Sequence, residues 1–171
     1  MEVVIRRART ADVPEIRKLV EVYGGPGRRL LQKSTVTLYE DIQEFWVAED
    51  LQSGGTVVGC GALHVMWEDL AEVRSVAVAP GLNGRGIGHR LVTRLLDQAR
   101  ELGVRRVFCL TFEVDFFARH GFRTILGTPV SPEVYEELLR SYDEGVAEFL
   151  DLDRVKPNTL GNTRMLLRLE D

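Results

Sequence analysis

The sequence has few of the residues that hold metal ions or build disulfide frameworks. It contains two cysteines and three histidines among 171 residues. Cys60 and Cys109 each lie inside an apolar, strand-like run, and the histidines are scattered along the chain, whereas a zinc site needs about four ligands at close spacing. We therefore expect two buried, reduced thiols and no bound metal.

The sequence also lacks a basic surplus and a long hydrophobic run. Its net charge is −4, whereas a nucleic-acid-binding domain usually carries a surplus or a stripe of basic residues. The longest apolar stretch, around Val57 to Trp67, is interrupted by glycines and His64 and is too short to span a bilayer. The N-terminal segment MEVVIRRART has no apolar signal-peptide region. We expect a cytoplasmic protein that binds neither nucleic acid nor membrane.

The apolar residues that are present predict one domain of alternating strands and helices. At 44% hydrophobic content, 171 residues supply enough apolar material for a single core. Thr10 or Asp12 is the expected cap of the first helix, and Glu15 would complete a capping box with Asp12. Hydrophobic periodicity predicts strands at 3–7, 45–49, 56–67, 72–78, 106–111, 122–126 and 165–169. It predicts helices at about 13–23, 37–42, 87–102, 116–120 and 132–139.

Two segments carry no regular pattern. Residues 24–29, GGPGRR, are interpreted as a solvated connection, with closure over a substrate as the alternative. Residues 141–153 are polar and acidic and lead to KPNTLGNTR at 156–164, before the last strand.

Four glycines follow the strand at 72–78. Gly81, Gly84, Gly86 and Gly88 fall within eight residues, immediately before a strongly amphipathic helix that starts at Ile87. Unpaired N–H groups and the positive end of the helix dipole then converge, which is the geometry of an anion site. Arg85 and His89 add positive charge there.

The two common phosphate loops do not fit this stretch. A P-loop needs Lys and then Ser or Thr after its last glycine, and Gly86 is followed by Ile87 and Gly88. The dinucleotide fingerprint needs a third glycine where this chain has His89.

The segment Asn83-Gly84-Arg85-Gly86-Ile87-Gly88 resembles the acetyl-coenzyme A motif of the GCN5-related N-acetyltransferases (GNAT), usually Arg/Gln-x-x-Gly-x-Gly/Ala. Asn83 departs from the first position of that motif. Val76-Ala77-Val78 is similar to the strand whose backbone binds the pantetheine arm in that family. The resemblance implies acetyl-CoA as the donor, bound by Val76, Ala77, Val78, Asn83, Gly84, Arg85, Gly86, Ile87, Gly88, His89 and Phe117.

The same resemblance implies the fold class. We expect an α/β (α+β) GNAT fold, with a mixed, mostly antiparallel central sheet of six to seven strands flanked by helices. A single acetyltransferase domain would span residues 1–171, with a helical insert at about 127–162 before the last strand.

A second stretch, FFARHGF at 116–122, resembles the family motif Tyr-x-x-x-Gly-Phe. In the family, that tyrosine can protonate the departing thiolate. Phe117 stands at its position, so this chain lacks the usual acid, and Tyr135, Tyr142 or water remain as alternatives.

Two carboxylates are candidates for the catalytic base. Glu72 lies eleven residues before Asn83, the offset at which some members of the resembled family carry a catalytic glutamate. Period two places Glu72, Arg74 and Val76 on one face of the strand. Glu113, just past the fifth strand, is the second candidate.

The acceptor is suggested by a resemblance over nearly the whole chain. LLQKS, EFWVAE, FFARHGF and KPNTLGNTRMLL are similar to segments of short actinobacterial amino-acid N-acetyltransferases that make N-acetylglutamate, the first committed step of arginine biosynthesis. The resemblance implies a small-molecule amino-acid substrate whose carboxylates are held by a basic residue. Lys33 is the first candidate and Arg74 the second, and Asn158, Asn162 and Arg164 of the insert are further candidates.

Several alternatives stay open at this point. Phe112 and Glu113 replace an Arg-Ser pair that binds substrate in longer relatives, so glutamine competes with glutamate as the acceptor. Another amine, such as a peptide N-terminus or a polyamine attracted by Asp143, Glu144 and Glu148, is compatible with the same fold. A non-catalytic acetyl-CoA-binding module is a third hypothesis, and a homodimer is a common state of this fold.

Overall fold

The computed structural model describes residues 1–23 and 33–170, and within these ranges the chain forms seven strands and seven α-helices. The strands are β1 Val3–Arg7, β2 Phe45–Asp50, β3 Thr56–Trp67, β4 Leu70–Val78, β5 Arg106–Thr111, β6 Arg123–Thr124 and β7 Thr163–Arg168. The helices are α1 Val13–Tyr23, α2 Thr35–Glu40, α3 Ile87–Leu102, α4 Val114–Ala118, α5 Pro132–Leu138, α6 Glu144–Phe149 and α7 Lys156–Thr159. The predicted loop at 24–29 and residues 30–32 of LLQKS lie outside the described residues.

The strands form one mixed sheet in the order β1-β2-β3-β4-β5-β7-β6. The β1–β2, β2–β3, β5–β7 and β6–β7 pairs are antiparallel. The β4–β5 pair is parallel, with register from Leu70↔Arg106 to Glu72↔Phe108. The predicted mixed, mostly antiparallel sheet is confirmed.

The chain divides into two units. The first comprises Met1–His64 and Val73–Leu102, and the second comprises Val65–Glu72 and the chain from Gly103 onward. Strand β4 therefore contributes its first three residues to the second unit and the remainder to the first.

Helices α1 and α3 pack against opposite faces of strand β3. Cys60 belongs to the apolar cluster that holds the buried face of α1. Its neighbours Gly59 and Gly61 point the other way, because successive strand residues alternate between faces. A Cβ atom on Gly59 would lie 3.0 Å from Leu91 Cδ1, and one on Gly61 would lie 3.0 Å from Leu95 Cδ1. These glycines let α3 lie directly against the strand.

The second unit has its own apolar core. Phe108 of β5 and Phe149 of α6 meet edge-to-face, with ring centroids 4.9 Å apart. Leu70, Leu138 and Leu166 are buried in the same cluster. This cluster joins the insert helices to the sheet strands of the unit. We propose that residues 127–162 form an insert within one acetyltransferase domain.

The structure corrects several predicted elements. The sixth strand covers two residues rather than 122–126. Its pairing with β7 ends near Ile125, whose N–H donates to the carbonyl oxygen of Arg164. The acidic segment 141–153 contains α6, whose six residues are too short to show a clear period. Helix α2 begins at Thr35, capped by Ser34, rather than at residue 37.

The predicted cap of the first helix is also wrong. Asp12 does not cap α1 as expected, since its carboxylate accepts from the backbone N–H of Arg9 and from the guanidinium of Arg6. A short 3-10 segment, Thr10–Asp12, precedes the helix. The ion pair holds β1 to the start of α1.

Candidate functional site

Strand β4 contains a left-handed residue, Ser75. This residue has φ 57, a left-handed conformation that a non-glycine side chain seldom adopts. Burial alternates through this residue: Arg74 and Val76 are half-buried, while Ser75 and Ala77 are buried. The predicted strand at 72–78 is confirmed within β4, and the left-handed conformation of Ser75 is a feature that the pattern did not predict.

Two hydrogen bonds fix the last part of this strand. The hydroxyl of Tyr23, at the end of α1, donates to the carbonyl oxygen of Val78 at 2.7 Å. The next residue, Ala79, donates its N–H to the carbonyl oxygen of Val58 at 2.8 Å. The backbone that leads into the glycine loop is thus held from α1 and from β3.

The glycine loop after β4 is shaped by left-handed residues. Gly81, Gly84 and Gly86 have φ values of 86°, 81° and 80°, and a Cβ atom at each would meet no atom within 4 Å. Glycine is therefore required here by conformation, and the space around the loop is open to a ligand. The loop prediction agrees with this geometry.

Helix α3 begins directly at this loop. The N–H of Arg90 donates to the carbonyl oxygen of Gly86 at 3.0 Å, so Gly86 occupies the cap position. The N–H groups of the first helical turn have no carbonyl four residues earlier within the helix. Together with the helix dipole they form a site suited to a phosphate group.

Glu72 is a buried carboxylate in the second unit, with 4% of its surface exposed. Its neighbour across the parallel ladder is Phe108. Leu70, two residues earlier and on the same face, lies in the core that contains Phe108 and Phe149. Burial lowers the pKa of Arg164, and the negative charges of Asp151 and Glu72 partly oppose this lowering.

Both cysteines are buried, as predicted. Burial raises the pKa of Cys60 to about 12, an increase that the nearby backbone N–H of Ala77 partly opposes. Burial also raises the pKa of Cys109 well above its ordinary value, and the charge of Glu72 adds to the increase. At neutral pH both thiols are protonated.

A polar cavity of about 310 Å³ lies in the first unit against α1 and α2. Its lining consists of Arg17, Val20, Glu21, Lys33, Ser34 and Leu38. Lys33 is paired there with Asp41 at 3.1 Å, and only 8% of the lysine side chain is exposed. Arg17 is paired with Glu21 at 2.8 Å. Among the described residues, the lining therefore contains two cations, each paired with a carboxylate.

Residues 15–122 match the model of the acetyltransferase (GNAT) family. The chain belongs to this family. The predicted family, the GNAT fold and the acyltransferase class of this enzyme are confirmed. The acetyltransferase is also 64% identical over 166 residues, 97% of its own length and 94% of the other, to an amino-acid acetyltransferase of Mycobacterium tuberculosis.

Solved structures agree with this relationship. The crystal structure of Rv2747 from Mycobacterium tuberculosis, in complex with CoA and NLQ, superposes with a TM-score of 0.94 at 63% identity, covering 98% of this chain and 99% of that one. N-acetylglutamate synthase from Neisseria gonorrhoeae, complexed with coenzyme A and N-acetyl-glutamate, gives a TM-score of 0.77 at 26% identity. That match covers all of this chain (100%) and 36% of the larger protein.

The predicted coenzyme residues of the acetyltransferase fall mainly in one unit. The first unit contains Val76, Ala77, Val78, Asn83, Gly84, Arg85, Gly86, Ile87, Gly88 and His89, and also Lys33 and Arg74. The second unit contains Glu72, Glu113, Phe117, Asn158, Asn162 and Arg164. Sequence proximity accounts for the first group, since eleven of its twelve members come from one strand, loop and helix start.

Phe117, at the position of the family's tyrosine, is a core residue. Its side chain is 7% exposed and meets Phe116 and Phe122 edge-to-face, at centroid distances of 5.0 and 5.3 Å. Glu113 directly precedes helix α4. It is exposed, and its backbone N–H donates to Thr111 Oγ1 at 2.8 Å. These contacts give Phe117 a packing role beside its proposed contact with the coenzyme.

Arg164 makes several hydrogen bonds within the second unit. Its guanidinium donates to the backbone carbonyl oxygens of Gly127, Glu148 and Phe149, at 3.1, 3.0 and 2.5 Å. It also lies over the ring of Phe108, 5.0 Å from the centroid. A cation at the C-terminal carbonyls of α6 stabilises the helix end. These bonds tie the guanidinium of Arg164, a residue of β7, to backbone carbonyls of the insert, so fewer of its N–H groups remain for a substrate carboxylate.

The other insert residues contribute little to a described pocket. The N–H of Asn162 donates to the carbonyl oxygen of Thr159 and closes the turn before β7. The side chain of Asn158 lies outside what the structure describes. Among the acidic residues proposed for a polyamine, Asp143 caps α6 through Val146 N–H, and Glu144 pairs with Arg154. Two of the three are therefore engaged in the structure of the insert.

Sequence analysis missed two features of β4. Tyr23 was visible only as an apolar position of the first helix, because a pattern of hydrophobicity does not reveal a hydroxyl contact with Val78. Nothing in the sequence marks the left-handed conformation of Ser75, since serine rarely adopts it. Among the described residues, no helix is long and apolar enough to cross a membrane, and no cluster of three or more metal-ligating side chains occurs.

Proposed function

We propose that this acetyltransferase moves the acetyl group of acetyl-CoA to the α-amino group of L-glutamate or L-glutamine, as in the first step of arginine biosynthesis. The observation that carries the proposal is the glycine loop between β4 and α3, whose open, left-handed positions lie at a helix N-terminus. The amino-acid acceptor is supported by the similarity to the mycobacterial amino-acid acetyltransferase.

The coenzyme is placed by the backbone of the first unit. The loop amides from Gly84 to Gly88 and the start of α3 would hold the pyrophosphate. The strand residues Val76 to Val78 would bind the pantetheine arm as an added strand does. A backbone N–H near Val76 would then donate to the thioester carbonyl oxygen, where negative charge develops during acyl transfer.

The transfer needs a neutral amine. Glu72 accepts a proton from the substrate ammonium group, directly or through water, and the nitrogen lone pair then attacks the thioester carbon. A C–N bond forms, the C–S bond breaks with its electron pair remaining on sulfur, and the nitrogen releases its second proton to water to give the amide. Phe117 supplies no acid. Departure of an unprotonated thiolate of pKa about 8.5 at pH 7 costs only about 2 kcal/mol, so water suffices to protonate it afterwards.

The acceptor carboxylate would be held by Lys33, with Arg74 as the second candidate. The ammonium group of Lys33 lies in the 310 Å³ cavity, where Asp41 keeps it in place. Glutamine carries one negative charge fewer than glutamate. Because Lys33 and Arg17 each have a carboxylate partner, and Arg164 is bonded to backbone carbonyls, glutamine is an acceptor at least as suitable as glutamate.

Release of the free thiol from acetyl-CoA, measured with a panel of amine acceptors, tests the proposal. We expect turnover with glutamate or glutamine, and no turnover with putrescine, spermidine or a peptide N-terminus. Calorimetric titration of acetyl-CoA tests the coenzyme site separately. Turnover only with the polyamine or peptide, or binding without any turnover, would contradict the proposed reaction.

A further inference from the structure

The cavity against α1 and α2 contains a second pair of charged side chains besides Lys33 and Asp41. Arg17 Nε donates to Glu21 Oε1, one helical turn further along α1, at 2.8 Å. Arg17 Nη1 donates to Thr35 Oγ1, at the start of α2, at 2.5 Å. The side chains of Arg17 and Glu21 are 51% and 49% exposed, so a ligand that enters the cavity can reach both of them.

These hydrogen bonds leave one donor and one acceptor of the Arg17–Glu21 pair for a ligand. Among the described residues, Arg17 bonds through Nε and Nη1, and Glu21 bonds through Oε1. The other terminal nitrogen of Arg17, Nη2, keeps its N–H donors, and Glu21 Oε2 keeps its lone pairs. A guanidinium only donates and a carboxylate only accepts. The pair therefore presents a donor and an acceptor close to each other.

A primary carboxamide matches this pair, whereas a second carboxylate does not. The carboxamide of glutamine has an oxygen that accepts and an NH₂ group that donates, so it can bond with Arg17 Nη2 and with Glu21 Oε2 together. The side-chain carboxylate of glutamate has acceptor oxygens only. One of those oxygens would face the carboxylate of Glu21, and the two negative charges would repel each other.

The rest of the cavity suits a single amino acid. Lys33 is the cation proposed for the acceptor carboxylate, and Thr35, which binds Arg17, lies only two residues further along the chain. Val20 and Leu38 are buried side chains of the lining, against which the methylene groups of an acceptor can pack. The volume of about 310 Å³ is at the lower end of the range for small-molecule sites.

We propose that Glu21 is a specificity-determining residue, which together with Arg17 binds the side-chain carboxamide of glutamine and repels the side-chain carboxylate of glutamate. This inference rests on the proposed function, because it places the acceptor in the cavity that contains Lys33. It narrows the acceptor to an α-amino acid with an uncharged primary amide at the end of its side chain. The proton transfer proposed for Glu72 is separate from this role.

Steady-state kinetics with glutamine and with glutamate test the inference in the wild type, E21Q and R17M. The wild type should use glutamine with the higher kcat/KM. E21Q keeps the shape of the side chain and removes its charge, so the KM for glutamate should decrease about three- to tenfold, while the KM for glutamine stays within about threefold. R17M should increase the KM for both acceptors about three- to tenfold, since both lose the same donor.

E15Q is the matched control. Glu15 is another acidic residue of α1, with its side chain 45% exposed, and it pairs with Lys18 at 3.1 Å outside the described lining of the cavity. E15Q removes the same charge from the same helix. Its ratio of kcat/KM values for the two acceptors should stay within about twofold of the wild type, and neither E15Q nor E21Q should change Tm much, because exposed ion pairs contribute little to stability.

Three results would overturn the inference. They are a wild type that prefers glutamate, an E21Q enzyme with the acceptor preference of the wild type, and an equal change of preference in E15Q. If E21Q does not fold, the wild type decides alone, since a preference that is the same at about 50 and 500 mM salt contradicts charge repulsion. A wild type that binds acetyl-CoA and turns over neither amino acid would instead disprove the proposed function.

Discussion

The hydroxyl group of Tyr23 donates to the carbonyl oxygen of Val78 at 2.7 Å, so the last residue of α1 is bonded to the last residue of β4. The proposed pantetheine strand therefore depends on a helix that begins more than fifty residues earlier in the sequence. Coenzyme affinity should respond to this helix even though the helix contributes no residue to the glycine loop.

Replacing Tyr23 with phenylalanine tests this link. The Y23F protein should lose about 0.5–1.5 kcal/mol of unfolding free energy, the usual net worth of one hydrogen bond. The Kd of acetyl-CoA should increase about three- to tenfold, because the strand end is less well ordered. Calorimetry and denaturant unfolding measure the two effects. Y39F is the control, since Tyr39 is 46% exposed on α2, and an equal effect there would contradict the link.

Gly86 offers a test of the loop. Alanine at a left-handed position costs about 1 kcal/mol of conformational energy, and its methyl group would enter the open space proposed for the pyrophosphate. We expect G86A to raise the KM of acetyl-CoA at least about tenfold, through strain and lost contact.

Gly54, in the turn between β2 and β3, is the matched control for that experiment. It has φ 73 and likewise no atom within 4 Å of an added Cβ, so G54A carries the same backbone strain. G54A should lower Tm and leave the KM of acetyl-CoA unchanged. A KM increase of the same size in G54A would show that the loop has no special role.

The two carboxylates predicted as bases can be separated by isosteric replacement. E72Q should lower kcat by about 10² to 10⁴, the usual contribution of a general base. Residual activity should increase with pH, since solvent then deprotonates the acceptor amine. E113Q should keep kcat within about threefold, because Glu113 is exposed and outside the core that surrounds Glu72. The opposite order of effects would assign the base to Glu113.

Lys33 should affect the acceptor and leave the donor unchanged. K33M removes a buried cation, and we expect the KM for the amino acid to increase about 10- to 100-fold, as for a lost charge-assisted hydrogen bond. The KM of acetyl-CoA should stay the same. K18M is the control, because Lys18 is 71% exposed and its ion pair with Glu15 lies at the surface of α1. An unchanged acceptor KM in K33M would exclude this lysine and favour Arg74.

The Arg6–Asp12 pair should make stability depend on pH. The hydrogen bonds from Arg6 hold the pKa of Asp12 below its ordinary value of 3.8 in the folded protein. A group whose pKa is lowered on folding stabilises the native state above its unfolded pKa. The contribution is therefore complete above about pH 5 and is lost as the pH falls through 3.8 toward the lower, folded value.

The free energies of unfolding of D12N and of the wild type, measured across pH 2.5–7 (about one measurement per half unit), check the direction of this pH dependence. D12N should be less stable than wild type by about 1.5–3 kcal/mol at pH 7, and the difference should shrink in acid. E15Q, which removes the exposed pair with Lys18, should cost no more than about 0.5 kcal/mol. A constant difference between wild type and D12N at all pH values would contradict the linkage.

Most of the sheet was predictable because its strands and its longest helix carry regular patterns. Val3–Arg7, Thr56–Trp67 and Arg106–Thr111 have the predicted bounds, and α3 begins at Ile87 as expected. The six residues of α6 do not show such a pattern, since burial of the helix is determined by the core around Phe108 rather than by its own period.

The candidate site was predictable to the extent that it is local in sequence. The glycine loop is a contiguous motif, so its open, left-handed conformation agrees with the prediction, and its contacts with the coenzyme stay a prediction. The contacts of Arg164 were not predictable, because a cation next to asparagines has the same appearance in sequence whether it binds a substrate or the carbonyls at a helix end. Only its contacts with Glu148 and Phe149 distinguish the two roles.

Strand β7 lies between β5 and β6 in the sheet and is also the source of Arg164, which bonds the end of α6. A ribosome makes this strand after every other element of the second unit. Until β7 is synthesised, β6 has no neighbouring strand and the carbonyl groups at the end of α6 lack the guanidinium of Arg164. The second unit therefore cannot complete its fold before β7 is available, whereas the glycine loop has been synthesised earlier.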